Sequence, residues 1–272
     1  MARFFVPTEN IDLEKGEILI KGADCHHLKN VLRKRPGDEV SLCGSDGSTY
    51  RSRILSFGKD SAVCGILSVA AGTSEPSVPV ILFQGVPKGD KMELIIQKCV
   101  ELGVNEIVPV MTEHTVVRFA DQKDRERKET RWQKISAEAA KQSGRNTVPP
   151  VRKITELCEI FGSVPDGWLK IIPYENEETL TLKECLRGAF GQRDDGGDGE
   201  TPKDGSFAAE SKASAGPEGI AFIIGPEGGF SAEEVKKAVD GGFIPVTLGK
   251  RILRTETAGL AVMASIRYET GD

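Results

Sequence analysis

The sequence predicts an α/β protein in two parts. A small β-barrel is expected over residues 1–72, and an α/β domain with a mainly parallel sheet over residues 77–272. Three observations predict this. Short alternating strands with regularly spaced turns fill the first 70 residues. Beyond residue 77 the rhythm changes to strands alternating with helices. Between the two runs Ala71–Ser77, a small, polar, proline-bearing stretch with the character of a linker.

Within the first part, alternation marks strands at Glu17–Lys21, Glu39–Cys43, Tyr50–Phe57 and Ala62–Val69. Turns fall at Pro36-Gly37-Asp38 and Ser45-Asp46-Gly47, and one short helix is expected around Cys25–Leu32. In the second part, Val80–Phe83 reads as a short apolar strand. Lys91–Leu102 then carries Met92, Ile95, Ile96 and Cys99 at helical spacing, with Gly103 placed as a C-terminal cap. Strands follow at Glu106–Val110, Leu169–Ile172, Ile220–Ile224 and Ile244–Leu248. Helices are expected at Arg125–Gln142, Ser231–Val239 and Thr257–Tyr268.

Residues 191–217 break this pattern. They are rich in Gly, Asp, Ser, Pro and Ala and nearly free of large apolar groups, so they read as a disordered surface insertion. Residues 192–218 hold seven acids against three basic residues. They therefore account for four of the five net negative charges of the 272-residue chain, and the remainder is about neutral. The overall acidity thus says little against a nucleic-acid partner, because binding depends on where charge clusters.

Hydrophobic residues make up 39% and charged residues 28%, as in ordinary soluble proteins. No apolar run reaches the roughly 20 residues of a membrane-spanning helix, so no membrane partner is expected. The opening MARFFVPTEN lacks a signal peptide's apolar stretch. Six cysteines without CxxC spacing read as buried, reduced thiols of a cytoplasmic protein. Cys25-His26-His27 has no further ligands at metal-site spacing, so no metal is expected.

Two loops carry the chemistry, each after the C-terminal end of a strand, where open α/β sheets bind ligands. The first is Gly225-Pro226-Glu227-Gly228-Gly229-Phe230. Its glycines allow a ligand to approach the backbone closely, and Ser231-Ala232-Glu233-Glu234 follows with the spacing of a helix capping box. The second runs from Leu248 to Ala258. The apolar pair Ile252-Leu253 lies there among strong hydrogen-bonding groups, a slot with a polar rim that suits an adenine ring flanked by ribose and charge. Taken alone, the first loop reads more readily as a turn before a helix, and the second as a structural loop with an Arg–Glu pair.

Together, GPEGGF and LGKRILRTETA closely resemble the signature of the SPOUT class of knotted methyltransferases. Within that class the match is to the bacterial 16S ribosomal RNA (uracil-N3)-methyltransferase family. The similarity extends to RFFV at Arg3–Val6, HHLKNVLRKRPGDEV from His26, KGDKMELIIQKCVELGV from Lys88, EHTVVR ending at Arg118, and KQSGRNTVPPV from Lys141. It spans nearly the whole chain apart from the insertion.

The resemblance implies a PUA-like RNA-binding barrel and an α/β domain whose C-terminal end is tied in a trefoil knot. It also implies a homodimer that uses S-adenosylmethionine to methylate a uridine of small-subunit ribosomal RNA. Carried onto this sequence, the cofactor meets Ile224, Gly225, Pro226, Gly228, Leu248, Gly249, Ile252, Leu253, Arg254 and Thr257. Methylation at N3 requires that nitrogen to lose its proton, so a base and a group that stabilises the uracil anion are needed. Arg254 is the candidate for the anion, since a guanidinium does not titrate. Glu227 and Glu256 are candidate bases, and either could instead hold Arg254 or cap a helix.

RNA contact is expected from Lys29, Arg33 and Arg35 in the barrel, where Lys34 adds to the cluster. Lys88, Lys91, Arg118, Lys141 and Arg145 are expected to add contacts from the catalytic domain. Arg125–Arg131, interleaved with acids, reads as a solvated face. Two rival functions remain open. A nicotinamide-dependent oxidoreductase would want GxGxxG after an early strand and an acid about 20 residues on, and the chain has neither. A non-catalytic RNA-binding or ribosome-assembly protein would be told apart by its failure to hold an adenosyl ligand.

Overall fold

The computed structural model of the chain describes residues 3–191 and 216–272. Positions 192–215 of the expected insertion lie outside the described residues. Two compact units emerge, one of Met1–Pro76 with Gln133–Pro150, the other of Ser77–Trp132 with Val151–Asp272.

In the first unit, six strands pair in the order β1-β4-β5-β6-β3-β2. They are β1 (Arg3–Val6), β2 (Ile11–Asp12), β3 (Glu17–Lys21), β4 (Glu39–Gly44), β5 (Ser48–Phe57) and β6 (Ser61–Ala71). All pairs are antiparallel except β1 with β4, which is parallel. The alternation seen in the sequence is realised as burial: Ile18 and Ile20 of β3 face inward, as do Phe4 of β1 and Leu42 of β4. Register shifts at Arg51/Ser52 and Ile54/Ser56 mark bulges that bend the long β5–β6 pair. The expected helix forms as α1 (Gly22–His26) and continues as a π-helical turn over His27–Val31.

Gln133–Pro150 joins this unit through specific contacts. The Glu75 carboxylate accepts the backbone N–H of Asn146 at 2.8 Å and of Thr147 at 3.1 Å, and Arg3 donates to Asn146 Oδ1 at 2.8 Å. A boundary read along the chain cannot show such a return.

The second unit is built on an all-parallel sheet in the order β12-β10-β11-β7-β8-β9. Its strands are β7 (Val80–Gly85), β8 (Glu106–Met111), β9 (Thr155–Glu156), β10 (Leu169–Pro173), β11 (Ile220–Ile224) and β12 (Ile244–Val246). Helices α2 (Lys91–Glu101), α3 (Gln122–Ser143), α4 (Leu157–Ile160), α5 (Leu182–Phe190), α6 (Ala232–Asp240) and α7 (Thr255–Thr270) complete the chain. Every residue of β11 is buried, as expected of a strand covered on both faces. Phe83, Val110, Ile172, Ile223 and Phe243 pack together in the core. The capping box of α6 forms as the sequence predicts: Ser231 accepts from Glu234 N, and the Glu234 carboxylate accepts from Ser231 N.

Two boundaries differ from the sequence reading. The last strand ends at Val246, not Leu248, because Thr247 turns to bond Leu180 in the loop after β10 and Leu182 at the start of α5. Helix α7 begins at Thr255, two residues early, with Arg254 as its N-cap. Between Val246 and Thr255 the chain passes from the edge strand across the end of β10 to the ends of β11 and β7.

Buried Arg267 pegs α7 in place by donating to the carbonyls of Leu102, Val78 and Gly103. α7 packs on α2 and α5. No helix among the described residues is long and apolar enough to cross a membrane. Five cysteines are buried, whereas Cys158 is exposed.

Candidate active site

Four loops leave the C-terminal ends of β7, β10, β11 and β12, and the last three enclose a cleft of about 890 Å³. That volume is within the range of sites that take a nucleoside-sized ligand. Ile224, Gly225, Pro226, Glu227, Leu248, Gly249, Ile252, Leu253 and Arg254 all line it, so the two loops singled out in the sequence do converge. Gly249 has φ +102° with nothing within 4 Å of an added Cβ, a backbone that few side chains would tolerate. Ile252 is 84% exposed, an apolar side chain offered to the open cleft. The apolar slot with polar groups around it thus fits an adenosyl cofactor.

Two predicted cofactor residues lie elsewhere. The Gly228 carbonyl lies 2.8 Å from His114 Nδ1, and a Cβ there would stand 2.9 Å from the Cβ of His114. Glycine is required at 228 by the histidine and not by the cleft. Thr257 faces a shallow groove between α2 and α7 with Leu260, Ala261 and Ala264, because α7 starts early and turns position 257 away.

The charged groups form a chain. Lys91, the first residue of α2, donates to Glu227 at 2.8 Å and stands 3.7 Å from Glu256. Glu256 in turn is 4.0 Å from Arg254, whose side chain is 82% exposed. Glu227 also accepts the backbone N–H of Lys88. Burial acts to raise the Glu227 carboxyl, but hydrogen bonds from Lys91 and from backbone N–H groups outweigh it and hold the group below its ordinary range. The Lys91 ammonium is correspondingly raised, chiefly by its bond to Glu227.

The basic residues expected on RNA divide. Lys29, Arg33 and Arg35 are exposed, as are Lys88 and Arg118. Lys91 lines the cleft instead. Lys141 is held by Asp24 at 2.8 Å. Arg145 is only 3% exposed and is paired with Glu75, so it is a structural cation. Both belong to the segment that joins the first unit.

Sequence reasoning missed the third wall, Tyr174, Glu175, Glu177, Glu178 and Thr181, which follows β10. The rule that ligands gather beyond strand C-termini, applied to Leu169–Ile172 as it was to Ile220–Ile224, would have found it. His114 falls in the EHTVVR match without a role attached to it, and Gln84 carries no local signal. Among the described residues, no group of three or more His, Cys, Asp or Glu side chains could hold a metal ion.

A family model described as an RNA methyltransferase domain matches residues 74–267, and one described as an RNA methyltransferase PUA domain matches residues 20–67. Parallel sheet, cleft and family models together define the class, that of the RNA methyltransferases. The ribosomal RNA small subunit methyltransferase E of Bacillus subtilis (strain 168) is 32% identical over 274 residues, covering 99% of this chain and 97% of the relative. Among solved structures, ribosomal RNA small subunit methyltransferase E from Neisseria gonorrhoeae, bound to S-adenosyl methionine, is 34% identical with a TM-score of 0.74. The match covers 98% of this chain and 97% of that one. A Legionella pneumophila protein described as a methyltransferase, in complex with bound SAM, is 27% identical with a TM-score of 0.76, over 98% and 97% of the two chains. The chain belongs to the ribosomal RNA small subunit methyltransferase E family.

Proposed function

We propose that the protein is an S-adenosylmethionine-dependent methyltransferase that acts on N3 of a uridine in small-subunit ribosomal RNA, in the cytoplasm. The observation that carries this reading is the cleft in which Gly225–Pro226 and Leu248–Arg254 converge, in a fold whose relative at 34% identity holds S-adenosyl methionine. When bound, the cofactor supplies an electrophilic methyl group.

The chain's residues supply the rest. Gly249 admits the ligand to the backbone, and Ile252 and Leu253 cover the adenine. Arg254 donates to a carbonyl oxygen of the uracil as negative charge develops on it. Of the two candidate bases, Glu227 lines the cleft and is engaged by Lys91 and Lys88, whereas Glu256 does not line it and keeps its Oε2 buried. Glu227 is therefore assigned the N3 proton, and Glu256 the orientation of Arg254. Lys29, Arg33 and Arg35 hold RNA phosphates, with Lys88 and Arg118 as further contacts.

A homodimer is part of the same proposal, supported by the apolar groove of Leu260, Ala261 and Ala264 beside α2. Light scattering on the purified protein checks it: a monomeric mass at micromolar concentration would reject the dimer. The activity is tested by calorimetry and by mass-spectrometric mapping of ribosomal RNA from cells lacking the protein. Heat with S-adenosylmethionine but not with NAD, and loss of one N3-methyluridine, are expected. Heat with NAD alone would overturn the reading.

A further inference from the structure

Gln84 is fully buried near the end of β7. Its Nε2 donates to the Gly85 carbonyl at 3.0 Å and to Thr255 Oγ1 at 2.9 Å. The Thr255 hydroxyl, itself buried, donates onward to the Gly225 carbonyl at 2.7 Å. Gly85 closes on the same place: a Cβ there would stand 2.7 Å from both N and Cδ of Pro226. The end of β7 is thus shaped to one peptide, Gly225–Pro226, by a hydrogen-bonded relay and by a close approach.

Stability does not explain the relay. Gln84 Oε1 is buried without a hydrogen-bond partner, and such an orphaned acceptor is destabilising. Methionine would fill similar space without that penalty. What the amide achieves is geometric, since it ties the loop after β11 to Thr255, the residue that follows Arg254 and opens α7.

We propose that Gln84 and Thr255 are positioning residues. The relay holds the Gly225–Pro226 peptide and the start of α7 in one register, so the loop that receives the methyl donor and the loop that carries Arg254 cannot shift independently. This rests on the cofactor reading given above.

The experiment is calorimetry of the full chain with S-adenosylmethionine, together with single-turnover methylation and RNA binding. Thr255→Ser keeps the hydroxyl and should bind within about twofold of wild type. Thr255→Val keeps the shape but breaks both bonds, and should lose affinity on the order of tenfold while RNA affinity holds. It should also keep a rate defect at saturating cofactor, because Arg254 is displaced. Gln84→Glu can donate to Thr255 only when protonated, so its cofactor affinity should fall as pH rises through a carboxyl range elevated by burial, a dependence that wild type lacks. A merely structural role would move melting temperature and leave this pH signature and the serine rescue absent. Folded Thr255→Val and Gln84→Met proteins with wild-type affinity and rate would overturn the relay alone. A wild-type protein that binds no S-adenosylmethionine would overturn the cofactor reading and the relay with it.

Discussion

Lys91 donates to Glu227 at 2.8 Å from the first position of α2, where the helix field disfavours a cation. A lysine in that place serves its partners, not its helix. It ties the loop after β11 to the start of α2 and adds positive charge to the wall of the cleft. Lys91→Met is expected to lower methylation at saturating RNA on the order of tenfold and to leave the salt dependence of RNA binding unchanged. A loss of about one unit of salt slope with a normal rate would return Lys91 to the phosphate-binding set.

The same ion pair has a pH signature. The Glu227 carboxyl lies below its ordinary value of 4.5. A lowered carboxyl stabilises the fold when ionised, so its contribution is complete above 4.5 and is lost as pH falls through the lowered value. Melting temperatures of wild type and Glu227→Gln should differ by a constant amount above about pH 5 and converge in more acid solution. A gap that persists unchanged to about pH 3 would show that the anion is not what matters.

Much of the fold was legible because its signals are local. The run Ile220–Ile224 read as a covered strand, and Ser231 with Glu234 read as a capping box; both form. The two glycine-bearing loops were found for the same reason, each following a strand. What could not be read depends on contacts between distant residues. Glu75 gathers Asn146 and Thr147 across 71 and 72 positions, and Gln84 meets Thr255 across 171. The strand β1 was also missed, since it pairs in parallel with β4, which no hairpin signal announces. The resemblance places Gly228 on the cofactor, yet its lack of a side chain answers to His114, 114 positions away, which no local pattern announces.

Charge alone misplaced Arg145, and the structure predicts the outcome of two contrasting substitutions. Arg145→Met leaves the Glu75 carboxylate, largely buried, without its guanidinium, and should destabilise the protein by about 3 kcal/mol with little change in the salt slope of RNA binding. Neutralising exposed Arg33 and Arg35 should barely move the melting temperature while flattening that slope by about one unit for each phosphate no longer neutralised. Denaturant titration and filter binding on both variants distinguish the two roles. The reverse pattern would place the RNA face on the Gln133–Pro150 segment.

Arg254 lines the cleft at the point where the last loop enters α7. As N-cap of α7 its backbone is fixed by the helix that follows, yet its side chain is 82% exposed and, among the described residues, its nearest carboxylate oxygen, on Glu256, is 4.0 Å away. The guanidinium is therefore free to turn to a substrate, and Glu256 is close enough to orient it without neutralising it. If it meets charge that develops on uracil, it matters more in the transition state than in the ground state. Arg254→Ala should then lower single-turnover methylation by roughly 10²-fold or more, the scale seen when one anion-stabilising donor is removed. RNA affinity should fall far less, and Arg254→Lys should recover only part of the rate, because an ammonium cannot present two parallel donors. Rates measured at saturating RNA and cofactor separate this from a binding defect. Should Arg254→Ala weaken RNA binding strongly while its saturated rate stays near wild type, Arg254 would be a phosphate ligand, and the anion would have to be met by Lys91.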